Sequence, residues 1–592
     1  MRTAVHGMAR IGERRALKWA LESYWAGRAS ADELDAVAAA VRRDNWNRLA
    51  RAGVSFVPSN DFSLYDHVVD TALSVSAIPE RFDTKALSLE PFNLDSGRSA
   101  KGNRFDLTRY FAMARGATEG GRAIAPLQMT KWFDTNYHHL VPEIGPATRF
   151  APEPAKARGE LTEAAELGIS TTPVLVGPLT FLLRSAATEP GFQPLDLLDA
   201  LVETYVELLA ALARHGAAWV RLDEPALVED RSTSELIALH RAYRRLGEAG
   251  THPKIAVATY FGHVGAAMAT LRDLPVDGIG LDLCAGPENA ELLADVGGFG
   301  DKTLFAGVVD GRNVWANDLD NSLDVLDQLG GLCGELVVST SCSLIHVPQS
   351  LAAESRIDPE ISGWLAFGDE KLTELAVLAR GAGESRAAVA DALEKNREVL
   401  AARRHSPLVN DQAVQRASRA APLDPRRPTQ APERAALQRT ALGLPLLPVT
   451  TIGSFPQTPE LRGVRASWRA GRTTDEDYEA ALRREVDRVV ELQEALGLDV
   501  VVHGEPERDD MVRYFATHLS GFALPEEGWV QSYGSRCVRP PILFGDVRRP
   551  APITLGWARY AQARTQKPVK GMLTGPVTML RWSFVRDDQP HA

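Results

Sequence analysis

The sequence predicts an α/β chain of two (β/α)8 TIM-type barrels, the second a repeat of the first and incomplete in this chain. Eight short apolar or β-branched runs are spread over residues 3–339. Helix-like stretches lie between most of them, which is the alternation of a (β/α)8 barrel. A spaced pattern near the start then recurs beyond residue 450, where three further strand-like runs follow.

The eight runs are Thr3–Gly7, Ser55–Pro58, Pro173–Val176, Trp219–Leu222, Lys254–Tyr260, Gly278–Leu283, Thr303–Val309 and Glu335–Ser339. Leu195–Arg214 and Ser232–Ala249 read as helices between them. Residues 80–165 are too long for one connection and are expected to form a helical insertion. Polar residues close the runs: Asn60-Asp61, Asp223-Glu224, Asp282, Asp310 and Ser341-Cys342. Barrels carry their chemistry at such C-terminal strand ends. Residues 360–403 read as helical, so the first domain is expected over 1–403. Residues 404–448, with Pro422, Pro425, Pro428 and Pro432, read as a linker. The stretch 449–592 is expected to be a partial barrel with strands at Val449–Ile452, Asp499–His503 and Gly571–Thr574. Three strands of eight leave an open edge, so this part is not expected to be stable by itself.

The repeat has three parts. Arg10-Ile11-Gly12 recurs as Thr451-Ile452-Gly453, and Ala26-Gly27-Arg28 as Ala470-Gly471-Arg472. The gap from Gly27 to Asn60 is 33 residues, and that from Gly471 to Glu505 is 34. Val176-Gly177-Pro178-Leu179-Thr180 recurs as Thr574-Gly575-Pro576-Val577-Thr578.

Composition bounds the function. With 592 residues, 45% apolar and 24% charged, the chain has the make-up of a globular protein of more than one domain. A net charge of −11 argues against general nucleic-acid binding but not against a local cationic pocket. No apolar run approaches the ~20 residues of a membrane span, and the N-terminus has no signal-peptide core. Cys284, Cys333, Cys342 and Cys537 form no C-x-x-C pair and no disulfide framework, so a cytoplasmic location is expected.

Several residues are candidates for chemistry. Asp223-Glu224 is either an acid/base pair, as in a hydrolase, or a holder of neighbouring loops; adjacent strand residues point to opposite faces, which favours the second. Arg15 and Lys18 share one face at the start of a helix, where the dipole also attracts an anion, although such pairs are often only solvated. Met129–His139 is rich in aromatics and hydrogen-bonding side chains and reads as a binding loop or a packed insertion. Ile452-Gly453-Ser454 can present N–H groups and a hydroxyl to a carboxylate, and Glu505 at the next strand end can hold an amino group. Tyr533–Cys537 and Leu580–Phe584 offer cations and aromatic faces to a flat heterocycle, with core packing the alternative for Trp582. Cys537 has no identifiable base partner and reads as non-catalytic.

Together these segments resemble the cobalamin-independent methionine synthases. The motifs are Arg10-Ile11-Gly12, Ala20–Trp25, Asp61–His67, Thr130–His138, Leu222–Leu227, Thr451–Pro456, His503–Asp510, Gln531–Cys537 and Met572–Thr578. The resemblance implies a double barrel that arose by duplication. It implies methyl transfer from 5-methyltetrahydropteroyltriglutamate to L-homocysteine, forming L-methionine. It places Arg15, Ala16, Leu17, Lys18, Lys131, Arg536, Cys537 and Trp582 on the folate, and Ile452, Gly453, Ser454 and Glu505 on homocysteine. Residues 13–16 read Glu-Arg-Arg-Ala where many members have Pro-Asn-Arg-Glu, so only the backbone of Ala16 can match that role. The family activates homocysteine with zinc and uses no cobalamin. Its zinc ligands are expected beyond Ala592, so neither a metal ligand nor a catalytic residue is assigned within the chain. The chain is therefore expected to be a truncated form, inactive alone, with a non-catalytic folate-binding remnant as the alternative. The expected partners are the folate and homocysteine, with no nucleic acid or membrane, and the expected state is a monomer.

Overall fold

The computed structural model describes residues 1–82, 106–421 and 426–589. All eight runs of the first barrel are strands: β1 Arg2–Ala4, β2 Val57–Ser59, β3 Thr171–Val176, β4 Trp219–Asp223, β5 Lys254–Ala258, β6 Gly278–Asp282, β7 Thr303–Val309 and β8 Glu335–Thr340. They form one parallel sheet in the order β1-β8-β7-β6-β5-β4-β3-β2. A parallel bridge between Ala4 and Phe56 joins its two edges. Phe56, Trp219 and Phe305 meet edge to face inside it, with centroids 5.0–5.9 Å apart, and plug the N-terminal end of the lumen.

The surrounding helices follow from local chemistry. Ser30 and Glu33 form a capping box at the start of Ala31–Arg51, as Ser232 and Glu235 do for Thr233–Gly247. Helix Leu198–Arg214 buries Leu201, Tyr205, Leu208 and Leu212 on one stripe. Each such side chain contributes roughly 1.5–3 kcal/mol when fully buried.

The chain divides into two compact units, residues 1–403 with 526–539, and residues 404–525 with 540–592. Three expectations are corrected here. First, the insertion is not only helical. Part of it, 83–105, lies outside the described residues, but the rest carries two antiparallel hairpins, Ala117–Glu119 with Arg122–Ile124 and Met129–Lys131 with His138–Leu140. Gly120 and Gly121, both at positive φ, make the first turn. Second, the linker contains helices at Gln412–Ala420 and Ala431–Leu442; Pro432 occupies the first turn of the latter, where its missing N–H costs nothing. Pro422 and Pro425 lie outside the described residues. Third, the three runs of the second unit are not strands. Parallel bridges Ser454–Gly504 and Val501–Val569 set them side by side in the expected order, without a ladder long enough for a strand. Among the described residues of this unit, the sheet is the antiparallel pair Ser520–Ala523 and Ile542–Arg548.

The repeat survives in the backbone. Gly27 and Gly471 have φ of 65° and 69°, and Asn60 and Glu505 share a left-handed φ of 60°. Each copy then has a 21-residue helix, Ala31–Arg51 and Asp475–Ala495, capped by Ser30 and Thr474. Gly177 (φ −67°, ψ 152°) and Gly575 (φ −66°, ψ 153°) open helices with proline in the first turn. No helix among the described residues is long and apolar enough to cross a membrane.

Candidate functional site

In the first unit, the chain leaves β1 and turns through Gly12, Arg14 and Arg15, all at positive φ, into helix Ala16–Trp25. Left-handed conformations at non-glycine residues cost roughly 1–3 kcal/mol each, and they persist where the surroundings fix them. Here Arg15 donates its N–H to Gly12 O at 3.1 Å and Leu17 to Ile11 O at 3.0 Å. The Arg15 guanidinium lies 3.9 Å from the centroid of Trp529 and 5.3 Å from that of Trp19. Lys18 pairs with Glu22 and donates to Ser535 O at 3.4 Å. Leu17 is fully buried, so only its backbone can face a ligand.

Segment 526–539 completes this group. Val530–Tyr533 and Arg536–Val538 form an antiparallel hairpin around Gly534, whose N–H is bonded to Tyr65 O. A Cβ at Gly534 would fall 2.7 Å from the Tyr65 ring, so the close approach needs glycine. The Cys537 thiol is pushed up to about 11, mainly by burial, against the pull of the nearby Lys18 and Arg15 cations. A thiol held protonated is no nucleophile at neutral pH. His138 donates to or accepts from Ser532 at 3.2 Å, and burial, Lys131 and Arg536 together push its pKa down. Thus Arg15, Lys18, Lys131, Arg536 and Cys537, drawn from distant parts of the sequence, gather beside Trp19, Trp529, Tyr533 and His138. Sequence reasoning missed Trp19 and Trp529; Trp19 adjoins the candidate cation Lys18, whereas Trp529 has no cation beside it in the sequence.

In the second unit, Ser454 bridges Gly504, and Phe455 donates to Gly504 O at 2.9 Å, which brings Gly453 beside Glu505. A Cβ on Gly453 would meet Glu505 Oε1 at 2.7 Å and Met572 Cγ at 2.4 Å. Glu505 is buried; Oε2 lies 3.2 Å from Arg508 while Oε1 has no hydrogen-bond partner. A buried anionic oxygen without a donor is costly. Burial pushes Glu507 up, but His503 and Arg508 outweigh it and hold its carboxyl below the usual range. Ile452 is 84% exposed. Trp582 follows helix Pro576–Arg581 and packs against the cluster of Val512, Phe515, Ala516 and Met579.

The strand-end carboxylates of the first barrel divide as the alternation of strand faces requires. Glu224 turns outward and accepts from Leu179 N (3.1 Å), Thr180 N (2.7 Å) and Tyr243 OH (2.9 Å), capping helix Pro178–Leu183. Asp223 turns inward and is bound by Arg221 at 2.7 Å and Tyr260 at 3.2 Å. The two therefore do not form one acid/base pair. Asp282 and Asp310 are likewise loop holders, accepting from the N–H groups of Phe261, Cys284 and Ala285, and of Arg312 and Asn313. All four cysteines are free.

Comparison with known proteins agrees with these motifs. Residues 2–334 match the model of the cobalamin-independent synthase N-terminal domain, and residues 447–592 that of the cobalamin-independent synthase catalytic domain. A 5-methyltetrahydropteroyltriglutamate–homocysteine methyltransferase of Streptomyces griseus is 52% identical over 595 residues, covering 100% of this chain and 74% of the relative. Its namesake in Mycobacterium bovis is 50% identical over 588 residues, covering 99% and 74%. A solved structure, a B12-independent methionine synthase from Shewanella sp. W3-18-1 in complex with selenomethionine, is 15% identical with a TM-score of 0.39. It covers 63% of this chain and 92% of its own, a likeness too distant to add to the sequence matches.

Proposed function

From the premise that the chain belongs to the cobalamin-independent methionine synthase family, we propose that it serves methyl transfer from 5-methyltetrahydropteroyltri-L-glutamate to L-homocysteine, giving L-methionine. The match of the whole chain to methyltransferases at 50–52% identity carries this reading. In the transfer, the methyl–nitrogen bond of the folate breaks and a methyl–sulfur bond forms. The thiol proton is lost and the folate nitrogen gains one, so the exchange is balanced.

This chain's residues bind and orient. Arg15, Lys18, Lys131 and Arg536 supply cations for the glutamate carboxylates, and the backbone of Ala16 and Leu17 lines the same helix start. Cys537, held as a thiol, contributes packing rather than charge. Trp582 offers a flat face to the pterin. Glu505 Oε1, buried and unpartnered, takes the ammonium of homocysteine, while the turn at Ile452, Gly453 and Ser454 takes its carboxylate.

Zinc is the group the family reading implies for thiol activation. Among the described residues, no group of three or more His, Cys, Asp or Glu side chains is placed to hold a metal ion. These residues do not fit zinc.

Equilibrium dialysis with the triglutamate folate tests the binding role; saturable binding is expected, and none would overturn the proposal. Methionine formation from methyl-labelled folate, with zinc supplied, separates transfer from binding without turnover.

A further inference from the structure

The C-terminal mouth of the first barrel contains a narrow polar cleft that the proposed function does not use. Two buried groups aim unpartnered atoms into it. His6 is 4% exposed and its Nε2 has no hydrogen-bond partner; Arg10 is 5% exposed and its Nε has none. His67 Nε2, also on the wall, is unpartnered as well. Leaving several such donors and acceptors unmet costs roughly 1–3 kcal/mol each, which a bound polar ligand would recover.

The charges on the wall define that ligand. Arg10 and Arg221 face Asp61, Asp70 and Asp223. Lys156 lies between Asp70, at 3.5 Å, and Glu160, at 2.9 Å. His6, His67 and His346 are held neutral at pH 7, each pushed down mainly by burial and further by nearby arginines. Cations and carboxylates are interleaved there with no excess of positive charge, which does not suit a phosphate, and the two wall arginines do not suit a bare cation. The mixed charges suit a molecule carrying one charge of each sign. Beneath the cleft the lumen narrows to a small space walled by Ala4, Ala256, Ala258 and Gly280 and closed below by Phe56, Trp219 and Phe305. The repeat adds an independent pointer. Asn60, on the cleft wall, occupies the position of Glu505 and shares its left-handed φ.

We infer that the strand-end cleft of the first barrel is a binding site for a free α-amino acid, separate from the one proposed around Glu505. Arg10 and the imidazoles take its carboxylate, Asp61 and Asp223 its ammonium, and the apolar lumen receives a slender, unbranched side chain. The pointer from the repeat rests on the proposed role of Glu505; the cleft's unpartnered atoms and its mixed charges do not.

The test is equilibrium dialysis of the 592-residue chain with radiolabelled L-methionine, alongside Glu505→Gln, Asp61→Asn and Asp223→Asn. The inference expects binding to persist in Glu505→Gln and to weaken about tenfold or more in the two aspartate variants. Wild-type binding that Glu505→Gln abolishes, or that neither aspartate variant changes, overturns it and leaves the proposed function intact. No saturable binding to the wild type also overturns it. Failure to bind the triglutamate folate would instead remove the proposed function alone. Hydrogen exchange on the wild type keeps the test open if an aspartate variant does not fold. L-methionine should slow exchange in peptides covering 5–10 and 58–71, and unchanged exchange there refutes the site.

Discussion

At the scale of residues, the cations of the first unit differ in what already holds them. Arg15 is fixed over the Trp529 ring, whereas Lys18 leans on Glu22. A polyglutamate carboxylate would compete with Glu22 for the Lys18 ammonium, and Lys131 stands on its hairpin beside His138. Both lysines keep some contact with solvent, which reduces the worth of each ion pair. Lys18→Ala and Lys131→Ala are expected to weaken triglutamate folate roughly tenfold and the monoglutamate much less. Dialysis of both ligands against each variant measures this. Equal losses for the two would mean that the lysines are surface charges rather than tail contacts.

At the scale of elements, helix Pro178–Leu183 is held by one carboxylate. A Cβ at Gly177 would fall 2.2 Å from the Glu224 carboxyl, whose hydrogen bonds to Leu179, Thr180 and Tyr243 prevent it from retreating. Since φ there suits any residue, the penalty is purely steric. Gly177→Ala should destabilise the first unit by roughly 1–3 kcal/mol in urea unfolding, and an unchanged midpoint would refute this account. Burial also pushes the Glu224 carboxyl up to about 7, despite hydrogen bonds that favour the anion. The folded chain then keeps a proton that the unfolded chain has released above about pH 4.3. Folded stability from this group is therefore greatest at low pH and falls as pH rises towards 7, by up to roughly 1 kcal/mol per unit. Glu224→Gln should flatten the pH dependence of stability between pH 5 and 7; equal slopes for both proteins would contradict it. The barrel strands were legible because each is a short apolar or β-branched run, and most are closed by a polar residue. The hairpin at Met129–Leu140 was not, since its aromatics resemble a loop as much as a strand. The linker helices were hidden by proline, which marks a first turn as readily as a break. Lys18 and Arg536 were legible as candidates by motif, but their gathering depends on a hairpin more than 500 residues away, which no local pattern encodes.

At the scale of the whole molecule, the two units are not continuous stretches of sequence. Residues 526–539 lie far along the chain yet pack with residues 1–403. Glu354 accepts the N–H groups of Glu526 and Glu527 at 2.7 and 2.8 Å, and Gly534 is bonded to Tyr65. The described part of the stretch from 412 to 448 is held less firmly. Helices Gln412–Ala420 and Ala431–Leu442 bury no residue, and Leu446 and Leu447 are 95% and 83% exposed. Exposed segments of this kind open locally at little cost and are the preferred sites of nicking. Arg416, Arg419, Arg434 and Arg439 lie within it. Brief trypsin treatment is therefore expected to cut first between 412 and 442. The cut should not release the C-terminal piece, because that piece carries the hairpin packed into the first unit. Under native conditions the two fragments are expected to elute together from a sizing column and to separate only in denaturant. Separation without denaturant, or a first cut inside 1–403, would show that the packing of 526–539 does not hold the nicked chain together.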